Sequence, residues 1–362
     1  MKKKKKKILF IGSFKSKSTT GHVGGQMFAC NSLINSELKD NYEWILIDTT
    51  ANTNLKRSFL NRLFMAILRL IKSFYYILFG RIDIAMAFCS GGHSFLEKGL
   101  VIRFAKLCNK KTILAPRDGF LIDQINNSEA FKNKVLRIFK STDTVICQGT
   151  FWKSYFLNNF DLPKDKFIVI NNWIKSTNYQ SKKRSINNPI QLLFLGWVEK
   201  NKGVWDVLEA MKQLKGENIK LTIAGKGEDF DRFKKAIIEN DLTNEIDMIG
   251  WILGSDKYKL LHNSDILILP SYREGLPNSL LEAMSSRTAV IVSNVGAISD
   301  VITNGLNGFL IRPGKPQEIE SCIRKYLMDN NLINTHAENA LKTVRSKNSL
   351  EAVLPLFKSI FE

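Results

Sequence analysis

Residues 265–286 read DILILPSYREGLPNSLLEAMSS, and this stretch decides how the rest of the chain is interpreted. The apolar run from Ile266 to Leu269 is typical of a buried strand, which ends at Pro270. A polar loop follows, and Pro277 begins a helix that we expect to reach about Ser286. The carboxyl end of a strand thus meets the amino end of a helix, the place where open α/β sheets bind ligands.

Strands and helices alternate on both sides of this stretch. In the second half, the predicted strands and helices are IQLLFLGW, VWDVLEAMKQL, IKLTIAG, DFDRFKKAIIEN, EIDMIGW, AVIVSN and GFLI. In the first half they are KKILFIG, YEWILID, RIDIAMAFC, SFLEKGLVIRFAKLC, KTILAP, DTVIC and KFIVIN. This alternation predicts parallel sheets covered by helices on both faces.

The alternation is interrupted once, by the polar and Asn-rich residues 171–188, which predict a linker. We therefore expect an α/β protein with two doubly wound, Rossmann-like domains facing across a cleft. The predicted parts are a first domain at 1–170, the linker, a second domain at 189–345 and a terminal helix at 346–362 that packs back across the domains.

Charge is distributed unevenly between the two halves. Residues 1–170 carry 28 basic and 12 acidic side chains, a net charge of +16, whereas residues 171–362 carry 25 and 22, a net charge of +3. The first half is thus expected to face something anionic: a membrane surface, a nucleic acid or a phosphorylated substrate.

Cysteines and the amino terminus suggest a compartment. The five cysteines are scattered and never form a Cys-x2-Cys pair, which argues against a disulfide framework and a zinc site and favours a reducing cytoplasm. The run Lys2 to Lys7 is followed by only four apolar residues before Gly12, so we expect no export signal.

Residues 55–80 predict a basic amphipathic helix that does not span a bilayer, because Arg62, Arg69 and Lys72 interrupt the apolar run. A 3.6-residue period places Leu60, Phe64, Ile67, Ile71, Phe74 and Leu78 on one side, and Ser58, Arg62, Arg69, Lys72 and Ser73 on the other. Such a helix either lies on anionic lipid, with the lysine run adding to the attraction, or packs on its own sheet.

The stretches EGLPNSLLEAM and AVIVSNVGAISDVITNGLNGFLIRPG closely resemble the donor-binding domain of family 4 retaining glycosyltransferases, which have the two-Rossmann-domain GT-B architecture. The eight-residue spacing of Glu274 and Glu282 is that family's signature, and LFLGWVEKNKGVWDVLEAM, LTIAGKGED, IGWI and Gly24-Gly25 also fit. The resemblance is specific over about residues 190–320 and weaker over 1–170.

The resemblance implies a role for individual residues. Glu274 would contact hydroxyls of the transferred sugar, Glu282 would contact the nucleotide ribose, and Lys202 would neutralise the departing diphosphate. Further contacts with the donor, a UDP- or GDP-linked sugar, would come from Gly25, Trp197, Lys226, Gly275, Leu276, Asn278 and Ser279. No cofactor and no metal are expected.

The chain departs from the family pattern at Trp197, where relatives usually have Arg five residues before the lysine. A phosphate-binding cation is therefore missing, and Lys200 or a group from the first domain could replace it. Trp197 itself would either pack at the strand end or stack on the ligand.

Two loops in the first half follow predicted strands, SGGHS at 90–94 and APRDG at 115–119. They place His93, Arg117 and Asp118 on the expected cleft rim, as candidates for an acceptor contact or for catalysis. The sequence does not choose among the three.

These observations predict a retaining glycosyltransferase that moves a sugar to a lipid-linked glycan acceptor in bacterial surface polysaccharide assembly, at the inner face of the cell membrane. One alternative is a non-enzymatic polyanion binder, although no nucleic-acid motif is present and no nucleic acid is expected as partner. Another is a nucleotide-sugar epimerase of similar architecture, which would need no acceptor. A phosphorylase would need a pyridoxal lysine, for which the sequence offers no context.

Overall fold

The computed structural model describes residues 5–14, 25–50, 59–175, 179 and 185–362, which form two α/β units. The first unit comprises Met1–Asn172 and Val353–Glu362, and the second comprises Trp173–Ala352. The predicted fold class of two Rossmann-like domains is confirmed. Residues 1–4, 15–24, 51–58, 176–178 and 180–184 lie outside the described part. They include Gly24, the first three residues of the lysine run, the start of the predicted amphipathic helix and much of the predicted linker.

The first unit is built on a parallel sheet. Its strands are β1 (Lys6–Gly12), β2 (Tyr42–Asp48), β3 (Ile84–Cys89), β4 (Lys111–Pro116), β5 (Thr144–Cys147) and β6 (Phe167–Val169). Its helices are α1 (Gly25–Ile34), α2 (Leu38–Asn41), α3 (Phe59–Phe79), α4 (His93–Leu107), α5 (Phe120–Asn127), α6 (Glu129–Lys140) and α7 (Thr150–Asn159). The strand order is β2-β1-β3-β4-β5-β6.

The second unit repeats this plan. Its strands are β7 (Ile190–Leu195), β8 (Ile219–Ala224), β9 (Ile246–Gly250), β10 (Ile266–Leu269), β11 (Ala289–Ser293) and β12 (Phe309–Ile311). Its helices are α8 (Val204–Gln213), α9 (Phe230–Glu239), α10 (Gly254–Asn263), α11 (Asn278–Ser285), α12 (Pro316–Met328) and α13 (Asn330–Lys347). The last helix, α14 (Leu350–Phe361), lies mostly in the first unit. The strand order is β12-β11-β10-β7-β8-β9.

The order of the second sheet decides which loops meet. Every residue of β10 and β11 is buried, as expected for parallel strands with helices on both faces. Strand β10 pairs with β7 through Leu267 and Leu193, and β8 pairs with the other side of β7. The strand order therefore reverses at β7, so the loops that follow β7 and β10 lie side by side, at the position where doubly wound sheets bind ligands.

The structure of α3 shows that part of the predicted amphipathic pattern is wrong. Arg69 and Ser73, which the period places on the polar side of the helix, face the protein. The guanidinium of Arg69 bonds the Glu97 carboxylate of α4 through Nε at 2.6 Å and Nη2 at 2.8 Å. The Ser73 hydroxyl is buried and donates to the Arg69 carbonyl oxygen at 2.7 Å. The bidentate ion pair with Glu97 compensates the charge of Arg69 on this inner side of the helix. The positions of polar residues along the sequence do not show that such a partner exists.

The opposite side of α3 is apolar and exposed. Phe74, expected on that side, instead lies half-buried, with its ring centroid 4.4 Å from that of Phe104. The large apolar residues exposed along the helix are Leu60, Leu63, Phe64, Met65, Ile67, Leu68, Ile71, Tyr75, Leu78 and Phe79. Arg62 and Lys72 are also exposed. No helix within the described ranges combines the length and apolarity needed to cross a bilayer.

The end of the chain belongs to the first unit. The ring of Phe361 lies 5.1 Å from that of Tyr42 and 6.0 Å from that of Trp44, both on the edge strand β2. Lys358 pairs with Glu37 at 2.6 Å, and the Lys6 ammonium donates to the Phe361 carbonyl oxygen at 3.0 Å. The last turns of α14 therefore cover the β2 edge of the first sheet.

Candidate active site

The loops that follow β7 and β10 are joined by main-chain and side-chain bonds. The Tyr272 amide donates to the Asn201 carbonyl oxygen at 2.9 Å. The ammonium of Lys202 lies 2.7 Å from Oε1 of Glu274, and the Ser271 hydroxyl donates to the same oxygen at 2.8 Å. The predicted cation and the predicted sugar-binding carboxylate are therefore brought together, and Glu274 carries a second donor.

Two glycines allow this close approach. Gly203, with φ +73°, follows Lys202, and a Cβ atom there would lie 2.1 Å from the Pro270 carbonyl oxygen. Gly296, with φ +59°, lies on the other side of the same loop, where a Cβ atom would be 2.2 Å from the Glu274 carbonyl oxygen. The Ala297 amide donates to the Gly275 carbonyl oxygen at 2.8 Å. Only glycine fits these contacts, so both positions fix the loop that carries Glu274.

Glu282 is buried, although it lies in an amphipathic helix. It is 7% exposed, and its Oε1 lies 2.7 Å from the ammonium of Lys257 on α10. The hydroxyl of Tyr179 also bonds this carboxylate; burial and the charge of Glu282 raise the pKa of Tyr179. A buried carboxylate with two donors is not an ordinary surface charge, since ionised groups are buried only when they are paired.

The backbone around Glu274 and Glu282 presents the other residues predicted to bind the donor. Gly275 and the buried Leu276 lie in the loop before α11, and Asn278 and Ser279 begin that helix. The residue preceding α11 is Pro277, whose side chain has no hydrogen-bond acceptor. The first N–H groups of a helix have no carbonyl partner inside it, and the helix dipole favours an anion there.

Aromatic and basic side chains occupy the carboxyl ends of β7, β8 and β9. Trp197 is 40% exposed, and its ring centroid lies 4.7 Å from that of Trp251 in an edge-to-face arrangement. Lys226 is exposed, with its ammonium 5.7 Å from the centroid of the Phe230 ring. Burial, with a contribution from the Glu228 and Glu274 charges, raises the pKa of Glu199 although Lys202 opposes it. Trp197 thus packs on Trp251 and remains partly exposed.

The remaining predicted residues belong to the first unit. Gly25 is the exposed first residue of α1, and His93 is the exposed first residue of α4. The carboxylate of Asp118 accepts from the Phe120 amide at 3.0 Å and from the Gly91 amide at 3.4 Å, so it joins the loops after β3 and β4. Arg117 is half-buried; it bonds Asn172, and burial lowers its pKa to about 10.

Sequence reasoning missed four residues at these loops: Ser271, Lys257, Tyr179 and Trp251. Ser271 could have been found, because it lies three positions before Glu274 in the same loop. Lys257 and Tyr179 have no local signal, since they reach Glu282 from α10 and from the segment after β6. Trp251 lay within the quoted IGWI stretch, but its pairing with Trp197 requires knowledge of the strand order.

Comparisons with known proteins agree with this fold. Residues 175–343 match the family described as "Glycosyl transferases group 1". An uncharacterized glycosyltransferase of Methanocaldococcus jannaschii is 32% identical over 279 residues, which cover 72% of this chain and 70% of that protein. The capsular polysaccharide biosynthesis glycosyltransferase CapM of Staphylococcus aureus is 25% identical over 66% of this chain and 61% of its own length.

Among solved structures, Anabaena HepE, crystallised in complex with UDP, superposes with a TM-score of 0.76. It covers 98% of this chain and 99% of its own, at 14% identity, which shows a shared fold. Together with the relative that is 32% identical, the match of residues 175–343 defines the family. The chain belongs to the group 1 glycosyltransferases.

Proposed function

We propose that this glycosyltransferase is a retaining enzyme of the family 4 type, which transfers a sugar from a UDP- or GDP-linked donor to a lipid-linked glycan in the assembly of bacterial surface polysaccharide. The observation that carries the proposal is the Lys202–Glu274 pair, held at 2.7 Å where the strand order reverses and next to the amino end of α11. The donor is the substrate, and no cofactor or metal is required.

Each group in this arrangement has a defined part in donor binding. Glu274 accepts hydrogen bonds from hydroxyls of the sugar, while the first amides of α11 receive the diphosphate. Lys202 is placed to exchange its contact with Glu274 for one with the diphosphate, whose negative charge grows as the sugar leaves. The departing diphosphate then assists deprotonation of the incoming hydroxyl on the same face, which retains the anomeric configuration.

In the first unit, we assign the acceptor contact to His93. Its side chain is exposed at the start of α4, at the carboxyl end of β3. Asp118 supports it, because its carboxylate binds the Gly91 amide two residues before His93 as well as the Phe120 amide. Asp118 thus fixes the loop that presents the histidine.

The exposed face of α3 supports a membrane-bound acceptor. Leu60, Phe64, Ile71 and Leu78 are each more than half exposed, and exposed Arg62 and Lys72 accompany them. A helix of this kind lies in the headgroup layer of an anionic membrane, with its apolar side buried and its cations near lipid phosphates. The enzyme would then work peripherally at the inner face of the cell membrane. The similarity to CapM, named for capsular polysaccharide biosynthesis, agrees with this assignment.

The test is to incubate the purified protein with a panel of nucleotide-sugars, with and without lipid extract, and to measure released UDP or GDP. We expect one donor to give release that rises with acceptor lipid, and product analysis to show the donor's anomeric configuration. Epimerised donor without release would favour the epimerase. A thermal-shift response to oligonucleotides and to no nucleoside diphosphate would favour the polyanion binder and contradict the proposal.

A further inference from the structure

Glu282 and three other side chains form a closed set of contacts within the second unit. Lys257 and Tyr258 are neighbours on α10. Lys257 binds Glu282 Oε1 at 2.7 Å, and the ring of Tyr258 meets that of Tyr179 edge to face with centroids 5.0 Å apart. The Tyr179 hydroxyl closes the set by bonding the Glu282 carboxylate. The set joins α10, α11 and the segment before β7.

This arrangement restricts the Glu282 carboxylate more than one ion pair would. Glu282 and Tyr179 are 7% and 8% exposed, and only 24% of the Lys257 side chain is accessible. A carboxylate offers about four lone-pair sites, so two donors fix its orientation and leave acceptor capacity for a ligand. The Tyr179 hydroxyl stays protonated, because burial and the negative charge of Glu282 raise its pKa.

We infer that Lys257 and Tyr179 are positioning residues, which orient the Glu282 carboxylate so that its remaining acceptor sites meet the two neighbouring hydroxyls of the donor ribose. This inference rests on the proposed function, in which Glu282 binds the ribose. The inference also predicts which nucleotides the site prefers. A fixed carboxylate that loses one hydroxyl partner is left with an unsatisfied buried acceptor, so the site should prefer ribonucleotides to 2′-deoxyribonucleotides.

The contact pattern also separates this role from a merely structural one. If the Lys257–Glu282 pair only held α10 against α11, its removal would lower the unfolding temperature. It would not change the preference for a ribonucleotide over its 2′-deoxy form. If the pair orients the carboxylate, its removal changes the ratio of the affinities for the ribonucleotide and for its 2′-deoxy form. The freed carboxylate can then turn toward whichever hydroxyl is present.

The experiment is calorimetric titration of the full chain with UDP, GDP and the 2′-deoxy form of whichever binds, together with unfolding temperatures. We expect the wild type to bind the ribonucleotide about tenfold more tightly than its 2′-deoxy form. Lys257→Met should weaken ribonucleotide binding about tenfold and bring the ratio close to one. Lys257→Arg should retain most of the ratio, and Lys259→Met, on the same helix with an exposed side chain, should match the wild type.

Tyr179→Phe keeps the ring contact with Tyr258 and removes only the hydroxyl. It therefore tests the inference independently if Lys257→Met folds poorly. It should weaken ribonucleotide binding about fivefold and lower the ratio. Unchanged affinity and ratio in Lys257→Met and Tyr179→Phe would overturn the inference while leaving the donor site standing. A wild type that binds neither UDP nor GDP, or a Glu282→Gln variant that binds as the wild type does, would overturn the assignment of Glu282 to the ribose and the inference with it.

Discussion

The ammonium of Lys202 lies 2.7 Å from Glu274 Oε1, although 72 positions separate the two residues in the chain. The contact exists because β7 and β10 are adjacent in the sheet, and it is held from both sides by Gly203 and Gly296. With side-chain exposures of 22% and 10%, the pair is a half-buried and electrically neutral unit. A diphosphate that binds here must compete with Glu274 for the cation.

Glu274→Ala should abolish most donor cleavage with little effect on folding. The substitution removes the proposed sugar contact and leaves the buried strands of the second sheet intact, so nucleoside diphosphate release should fall at least about 100-fold. The matched control is Glu239→Ala, an exposed carboxylate on α9. An active Glu274→Ala enzyme with an unchanged unfolding temperature would show that the wrong carboxylate has been assigned.

The two lysines of the loop after β7 should differ in effect. Lys202→Ala should lower kcat about 100-fold, because the cation opposite the leaving diphosphate is lost. Lys200→Ala removes an exposed cation two residues away and should change kcat less than about fivefold. Steady-state kinetics of both variants measure the difference. Equal losses would mean that Lys200 replaces the arginine which Trp197 displaces, and that both lysines bind the diphosphate.

Phe64→Glu/Ile71→Glu should weaken binding to vesicles of phosphatidylcholine and phosphatidylglycerol at least about tenfold, because two carboxylates would enter the apolar side that contacts lipid. Arg62→Glu/Lys72→Glu should reduce binding to anionic vesicles and leave binding to neutral ones unchanged. Arg69 is unsuitable for this test, since it already pairs with Glu97.

Ile238→Glu, at an exposed site of the second unit, is the control for the vesicle measurements. Sedimentation of all these variants at the wild-type level would show that α3 does not bind lipid.

Acidification should destabilise the second unit through His336. This imidazole is buried, contacts the Tyr326 hydroxyl at 2.8 Å and lies 3.1 Å from the Gly305 carbonyl oxygen through Nε2. Burial lowers its pKa below the usual value of 6.5, so between the two pKa values the unfolded chain binds more protons than the folded one. Stability is therefore greatest above the unfolded pKa and falls as the pH drops through that window.

The measurement is the unfolding temperature of the wild type and of His336→Gln between pH 8 and pH 5. His336→Gln should lose the part of the pH dependence that comes from this imidazole. The exposed His93→Gln serves as the control and should keep it. A pH dependence that is the same in His336→Gln and in the wild type would contradict the assignment.

The sequence predicted the strands well, because parallel strands covered on both faces are continuous apolar runs; β4 and β10 begin and end within a residue of expectation. It predicted the position of Glu274 through the strand, loop and helix of 265–286. It did not predict the inward side of α3, because periodicity cannot show that Arg69 finds Glu97 on another helix. For the same reason the partners of Glu282 were missed, since Lys257 and Tyr179 approach it from distant parts of the chain.

The final turns of α14 have a practical consequence for dissecting the enzyme. Because Phe361 covers Tyr42 and Trp44, a gene fragment ending at Asn172 would encode the first sheet without its edge cover and leave these two aromatic rings without their packing partner. The second unit, by contrast, is a continuous segment from Trp173 to Ala352. Separate expression of the first unit would need the carboxyl-terminal residues tethered to its amino terminus, near Lys6, as in a circular permutant.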